Sequence, residues 1–199
     1  MMTLEHFGIA YDNVPTFPGD TSPEFLAISP LRKIPVLVDG DFVIADTSVI
    51  CRYLDRIADG QSLYPADPQD EARACFLEEF ADSKLIECCA GIFRERLLKP
   101  KMMQQPTDED TVAAIINEQL PELLSYLEGV TPESGYLVGD HLSIADLSVM
   151  TCFLQAQYGD YAVDGASYPR LRAYLDRAFA APLVANRMTS ERANLPPGL

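Results

Sequence analysis

The run Arg32–Ser48, RKIPVLVDGDFVIADTS, restricts the fold more than any other stretch of the chain. Val36–Val38 and Phe42–Ile44 are short, apolar and rich in β-branched residues, and Gly40-Asp41 between them suits a tight hairpin turn. Proline has no N–H for a sheet ladder, so Pro35 belongs at the first residue of its strand. An X-Pro bond costs only about 0.5–1 kcal/mol in its cis form, and Ile34-Pro35 is expected to be cis. Past the hairpin, Asp46-Thr47-Ser48 precede the periodic run Val49, Ile50, Tyr53, Leu54 and Ile57. Any of the three oxygen-bearing side chains can cap that helix, and its free first-turn N–H groups would welcome an anion.

A chain of 199 residues can hold one large or two small domains with a buried core. Hydrophobic content of 48% and charged content of 23% are ordinary for a soluble globular protein. No apolar run approaches the roughly 20 residues of a membrane helix. Met1–His6 lacks a basic region followed by an apolar one, so it does not read as a secretory signal. A net charge of −15 opposes a phosphate-backbone partner. The expectation is a cytoplasmic protein without nucleic-acid or membrane partners.

Cysteine usage fits that compartment. Cys51, Cys75, Cys88, Cys89 and Cys152 are odd in number, form no C-x-x-C and fall in apolar helical patterns, as buried reduced thiols do. Cys88-Cys89 reads as core packing rather than a redox pair, since adjacent helical residues do not face each other. His6 and His141 are the two histidines, neither set among metal-ligand types, so no metal site is expected. A Ser-His-Asp triad around His141 has no support beyond the sequence proximity of Asp140 and Ser143.

Along the chain, Met1–Phe7 reads as a helix ending at Gly8, Ile9–Val14 as a strand, and Pro15–Gly19 as a loop. Ser22-Pro23-Glu24 opens a short helix that buries Phe25, Leu26 and Ile28. Asp59–Pro68 is a linker, after which the pattern becomes purely helical. Asp67 caps a helix expected to run to Lys99 and stop at Pro100, with Leu77, Ala81, Leu85, Cys88 and Ile92 as its core stripe. Phe76, Phe80 and Phe93 should widen that stripe. Thr107-Asp108-Glu109-Asp110 reads as a capping box, and Pro121 should kink the helix that follows. Gly129–Gly135 is a loop. In Gly139-Asp140-His141-Leu142-Ser143-Ile144-Ala145-Asp146-Leu147, Ser143 and Asp146 form a capping box while Leu142 and Leu147 form a hydrophobic staple. Asp146 is therefore read as structural. That helix should reach about Tyr158. Leu171, Tyr174, Leu175 and Phe179 mark another, Leu183–Met188 a short last one, and Asn194–Leu199 a frayed tail.

The KIPVLVDG…IADTSVI run resembles the glutathione-binding half of the glutathione transferase superfamily, and GDHLSIAD resembles the capping box of its helical half. The resemblance implies a thioredoxin-like α/β domain over 1–59, N-terminally truncated, followed by an all-helical bundle domain over 67–199. It implies glutathione as co-substrate, bound by Lys33, Ile34, Pro35, Asp46 and Thr47. The backbone before the cis-proline would pair with the cysteinyl part. Asp46-Thr47 would hold the γ-glutamyl end where Glu-Ser is commoner, and Asp reaches one methylene less far. Part of the helix carrying Phe76, Phe80 and Phe93 would face a second-substrate pocket. A family member starts with a strand and a loop bearing a catalytic Ser, Cys or Tyr, whereas this sequence opens where the first helix finishes. No catalytic residue is therefore expected within the chain, but one upstream of Met1. An incomplete N-terminus or a shortened, inactive protein would both fit, and the lost central ladder favours the first.

The implied function is conjugation or other use of glutathione on a small hydrophobic electrophile by a homodimer, weak or absent in the chain as it stands. The alternative is a glutathione-transferase-like binding or scaffold module without catalysis. A thioredoxin-type oxidoreductase fails for want of a C-x-x-C.

Overall fold

A computed structural model describes residues 1–16 and 20–194. The chain divides into Met1–Ser62 and Leu63–Leu199. In the smaller unit, helix α1 (Met2–His6) buries Thr3 and Leu4. It closes through Gly8 at φ +65°, with the Gly8 N–H on the Glu5 carbonyl and the Ile9 N–H on that of Leu4. These are the two bonds of a Schellman motif, which needs a left-handed residue where glycine stands. Residues 9–14 are not a strand. The only sheet among the described residues is β1-β2, so this segment has no ladder, and strand-like composition alone makes none. Ile9 and Tyr11 instead pack on the core of Leu4, Ile50 and Leu54, while Val14 is 78% exposed.

Helix α2 (Pro23–Ile28) is capped by the Ser22 hydroxyl accepting the Phe25 N–H at 3.3 Å, with Pro23 in its first turn and Phe25 buried. Strands β1 (Val36–Asp39) and β2 (Phe42–Ala45) pair antiparallel around Gly40-Asp41, Val36 opposite Ala45 and Asp39 opposite Phe42. Leu37 and Ile44, opposite each other, face the same small core. Helix α3 (Thr47–Ile57) covers it with Ile50 and Leu54.

The larger unit is built on long helical rods. Asp67 caps helix α4 (Pro68–Phe80) by accepting the Gln69 and Asp70 N–H groups. Helicity then continues through a π-turn (Ala81–Leu85), α5 (Ile86–Phe93), a second π-turn (Arg94–Leu98) and α6 (Lys99–Met102). Leu77, Ala81, Leu85, Cys88 and Ile92 are all buried. Phe76 departs from expectation at 54% exposure, and Phe80 and Phe93 are half-buried. Phe76 falls one residue off the 4-4-3-4 stripe and meets Phe80 and Tyr126 at the surface instead.

Pro100 does not stop the rod. The Lys99 N–H bonds five residues back, to Arg94, just ahead of the proline, and the Met103 N–H again reaches five back, to Leu98. The same device carries α7 (Glu109–Ala114) through a π-turn (Ile115–Gln119) into α8 (Leu120–Val130), where the Leu120 N–H bonds to Ile115 just ahead of Pro121. Asp108 alone caps α7, accepting the Thr111 N–H at 3.0 Å. The reciprocal carboxylate comes from buried Glu95, which accepts the Asp108 N–H at 3.2 Å and binds Lys99 at 2.6 Å.

Core helix α9 (Ile144–Tyr158) is buried along most of its length, with Thr151 and Gln157 exposed. Its Gly159 cap lets it approach α5: a Cβ there would lie 2.9 Å from Ile92 Cγ2 and 3.0 Å from the Ile92 carbonyl oxygen. Helix α10 (Pro169–Ala180) is capped from α8, Glu128 accepting the Arg170 and Leu171 N–H groups. Helix α11 (Pro182–Asn194) runs past Met188, longer than the sequence suggests. Phe17–Gly19 of the expected loop, and the tail beyond Asn194, lie outside the described residues.

Candidate functional site

The strand register brings the two halves of the expected site together. Val36 stands opposite Ala45, so Pro35 and Asp46 each lie one residue beyond the last pair, at the open end of the hairpin. Paired Cα atoms in such a ladder are about 4.5–5.5 Å apart, which makes these distant sequence positions spatial neighbours. Lys33, Ile34, Pro35, Asp46 and Thr47 are all exposed there. The Ile34-Pro35 bond is cis.

Asp46 has φ 86° and ψ 127°, a conformation L-residues rarely adopt. Such a backbone costs of order 1–3 kcal/mol and persists only where the surroundings hold it. The constraint here is the turn from β2 into α3 within a single residue. Asp46 secures that turn twice: its carboxylate accepts the Val49 N–H at 3.2 Å and its carbonyl the Ile50 N–H at 3.0 Å. Of the three candidate caps, Asp46 is thus the one used. The start of α3 gives this end of the hairpin the partial positive charge of a helix N-terminus.

The other approach to the site runs through Ser29, which closes α2 just before Pro30. Ser29 is fully buried. Its hydroxyl donates to the Lys33 carbonyl at 2.7 Å and accepts the Lys33 N–H at 3.1 Å. Its own carbonyl accepts the Arg32 N–H at 2.9 Å, with Arg32 in the left-handed region at φ 57°. Sequence reasoning passed over Ser29. The available signal was a hydroxyl residue closing a helix ahead of a proline, where such side chains bond nearby backbone.

The larger unit's chemistry-bearing residues serve packing. Asp146 is fully buried: Oδ2 accepts the Ser143 N–H at 2.9 Å and the Ser143 hydroxyl at 2.8 Å, while Oδ1 accepts the Leu137 N–H at 2.9 Å and the Tyr174 hydroxyl at 2.8 Å. Burial pushes its carboxyl above the usual range, and the four donors pull against that rise. Burial also carries the Tyr174 hydroxyl well above its usual value, with the Asp146 charge adding to it. Because the Ser143 hydroxyl donates to Asp146, it is not directed at exposed His141. Burial raises the Cys89 thiol far beyond its usual value and that of Cys152 to about 12, which leaves both inert as nucleophiles. Cys51, Cys88, Cys89 and Cys152 are buried, whereas Cys75 is half-exposed. Among the described residues no cluster of three His, Cys, Asp or Glu side chains could hold a metal, and no helix is long and apolar enough to cross a membrane.

A family model described as glutathione S-transferase, N-terminal domain, matches residues 1–57, and one described as glutathione S-transferase, C-terminal domain, matches residues 93–191. The hairpin-and-helix unit followed by a helical unit is the thioredoxin-like plus all-helical fold of that class. The chain belongs to the glutathione S-transferase family. Glutathione S-transferase theta-1 of Bos taurus is 30% identical over 164 residues, 80% of this chain and 67% of that protein. Glutathione S-transferase theta-3 of Mus musculus is 33% identical over 129 residues, 64% of this chain, and the match spans only 53% of that relative's length. The structure of glutathione S-transferase I from maize, in complex with an atrazine glutathione conjugate, aligns with a TM-score of 0.80 at 26% identity, covering 98% of this chain and 92% of that one.

Proposed function

We propose that the chain binds glutathione at the open end of the hairpin and uses it on a small hydrophobic electrophile. The register that sets Pro35 beside Asp46, with Asp46 held at φ 86°, carries this reading. The Ile34 backbone ahead of Pro35 offers an extended edge to the cysteinyl residue. Asp46, Thr47 and the start of α3 receive the γ-glutamyl end, where its carboxylate meets the positive end of the helix. Lys33 supplies a cation for an anionic tripeptide on a chain whose net charge is −15. In this reading the domain over 1–59 takes glutathione, the domain over 67–199 takes the electrophile, and the protein works as a cytoplasmic homodimer with no metal.

Conjugation needs a group that holds the thiol as thiolate, since only the thiolate attacks. In the smaller unit Tyr11 donates to Glu5, Tyr53 to Asp39 and Ser29 to Lys33, so these hydroxyls are already engaged. An unassisted thiol with a pKa near 8.5 is only a few per cent ionised at neutral pH. In this reading the 199-residue chain binds glutathione and conjugates it little faster than solution does. Calorimetry with glutathione, paired with conjugation of a generic aromatic halide, tests both parts. Asp46→Ala and Lys33→Met should each weaken binding about tenfold. Failure of the native chain to bind glutathione would leave the non-catalytic scaffold reading. Robust conjugation would place a thiolate-stabilising group within the chain.

A further inference from the structure

The loop that delivers Ile34 to the site is closed onto one side chain. Three hydrogen bonds between positions 29 and 33 converge on Ser29: its carbonyl takes the Arg32 N–H, and its hydroxyl holds both the N–H and the carbonyl of Lys33. Ser29 is 0% exposed, while Leu31 is 77% exposed and Arg32, Lys33 and Ile34 are all exposed. The exposed residues thus have one buried anchor, itself tied to α2 by its N–H on the Phe25 carbonyl at 2.8 Å. A two-way bond from one hydroxyl to one residue's peptide groups fixes that residue's rotation as well as its position. Lys33 immediately precedes Ile34, so its carbonyl plane is also the plane of the Ile34 N–H. A wrong turn at Lys33 would aim the Ile34 backbone away from any extended partner.

We propose that Ser29 is a positioning residue for tripeptide binding: it sets the orientation of the Lys33-Ile34 peptide to which glutathione pairs. This rests on the glutathione-binding reading above. Ser29 touches no ligand itself; it acts through Lys33. The water-accessible loop can satisfy the Lys33 groups without the hydroxyl, so Ser29→Ala folds, but its loop samples other orientations and must be ordered on binding. Ordering on binding is taken from affinity.

The experiment compares native protein, Ser29→Ala and Ser22→Ala. Ser22→Ala removes the cap at the opposite end of α2 and leaves the Ser29–Lys33 bonds in place. Calorimetry with glutathione, thermal midpoint and hydrogen exchange of the Lys33 amide are measured on each. Ser29→Ala should raise the glutathione Kd about tenfold and speed Lys33 exchange. Ser22→Ala should lower the thermal midpoint while keeping Kd within twofold of native. Fast Lys33 exchange in Ser29→Ala with an unchanged Kd would overturn the positioning role while glutathione binding stands. Equal weakening by Ser22→Ala would also overturn it, reducing Ser29 to general stability. If native protein binds no glutathione, the reading of the site falls and the role of Ser29 with it.

Discussion

Replacing Asp146 by alanine should be among the most costly single changes in the larger unit. Two of its four hydrogen bonds, both from Ser143, belong to the cap of α9, and losing a cap costs about 0.5–2 kcal/mol. The other two leave the Leu137 N–H and Tyr174 hydroxyl without an acceptor, and each stranded buried donor costs about 1–3 kcal/mol. Removing the carboxylate also removes a burial penalty, which offsets part of the loss. The expected net is about 3–5 kcal/mol, or a drop in Tm of roughly 10 °C at 2–4 °C per kcal/mol for a chain of this size. Urea unfolding followed by far-UV circular dichroism reads it as a lower midpoint at unchanged slope. Tyr174→Phe deletes a single donor and leaves Oδ1 its Leu137 bond, so it should cost only about 1–2 kcal/mol. Asp146→Asn should fall between them: its amide keeps one acceptor oxygen but sets an NH2 against the two Ser143 donors. A loss below 1 kcal/mol in Asp146→Ala, or a Tyr174→Phe as damaging as Asp146→Ala, would refute the assignment of Asp146 as the hub of this network.

The Glu95 carboxyl is held below its ordinary value of 4.5, first by the Lys99 hydrogen bond, so its contribution is present above that pH and lost as pH falls through the depressed value; the stability gap between native and Glu95→Gln in urea titrations should close on acidification. Gly159→Ala should cost about 1–3 kcal/mol in the same assay, because the added carbon meets Ile92 backbone, whereas Gly165→Ala, whose nearest neighbour is Arg172 Cγ at 3.2 Å, should cost less. Alkylation at pH 8 followed by mass spectrometry should mark Cys75 first, with Cys89 and Cys152 reacting only after unfolding; early reaction at either would contradict their burial.

Features that depend on neighbours in sequence were legible in advance. The hairpin follows from two apolar runs around Gly-Asp, the start of α4 from Asp67-Pro68, and the start of α9 from Ser143 and Asp146 three residues apart. Errors arose where a remote partner decides. Residues 9–14 have strand composition, but a strand needs a second segment beside it. Pro100 looks like a stop because proline removes a ladder bond, yet helicity continues through it from a π-turn, and a π-turn also precedes Pro121, where a kink is expected. Nothing local in either sequence announces a shift to five-residue spacing. Sequence reasoning also found only half of the Asp146 network, since Leu137 and Tyr174 reach it by tertiary packing.

The candidate site divides along the same line, with one difference. Its partners are largely main chain, so side-chain identity reports on it only where it dictates a backbone conformation. Pro35 does so, because its residue type is what makes the cis bond affordable. Asp46 does so partly: a short acceptor suits an N-cap, and aspartate tolerates positive φ better than most residues, but residue type gives no sign that ψ would be 127°. Ser29 does so least, since nothing in the letter distinguishes a hydroxyl that holds Lys33 at both peptide groups from one that faces water. In the proposed reading, the tripeptide contacts of Ile34 rest on a residue five positions upstream, beyond a proline and outside the motif that drew attention to the site.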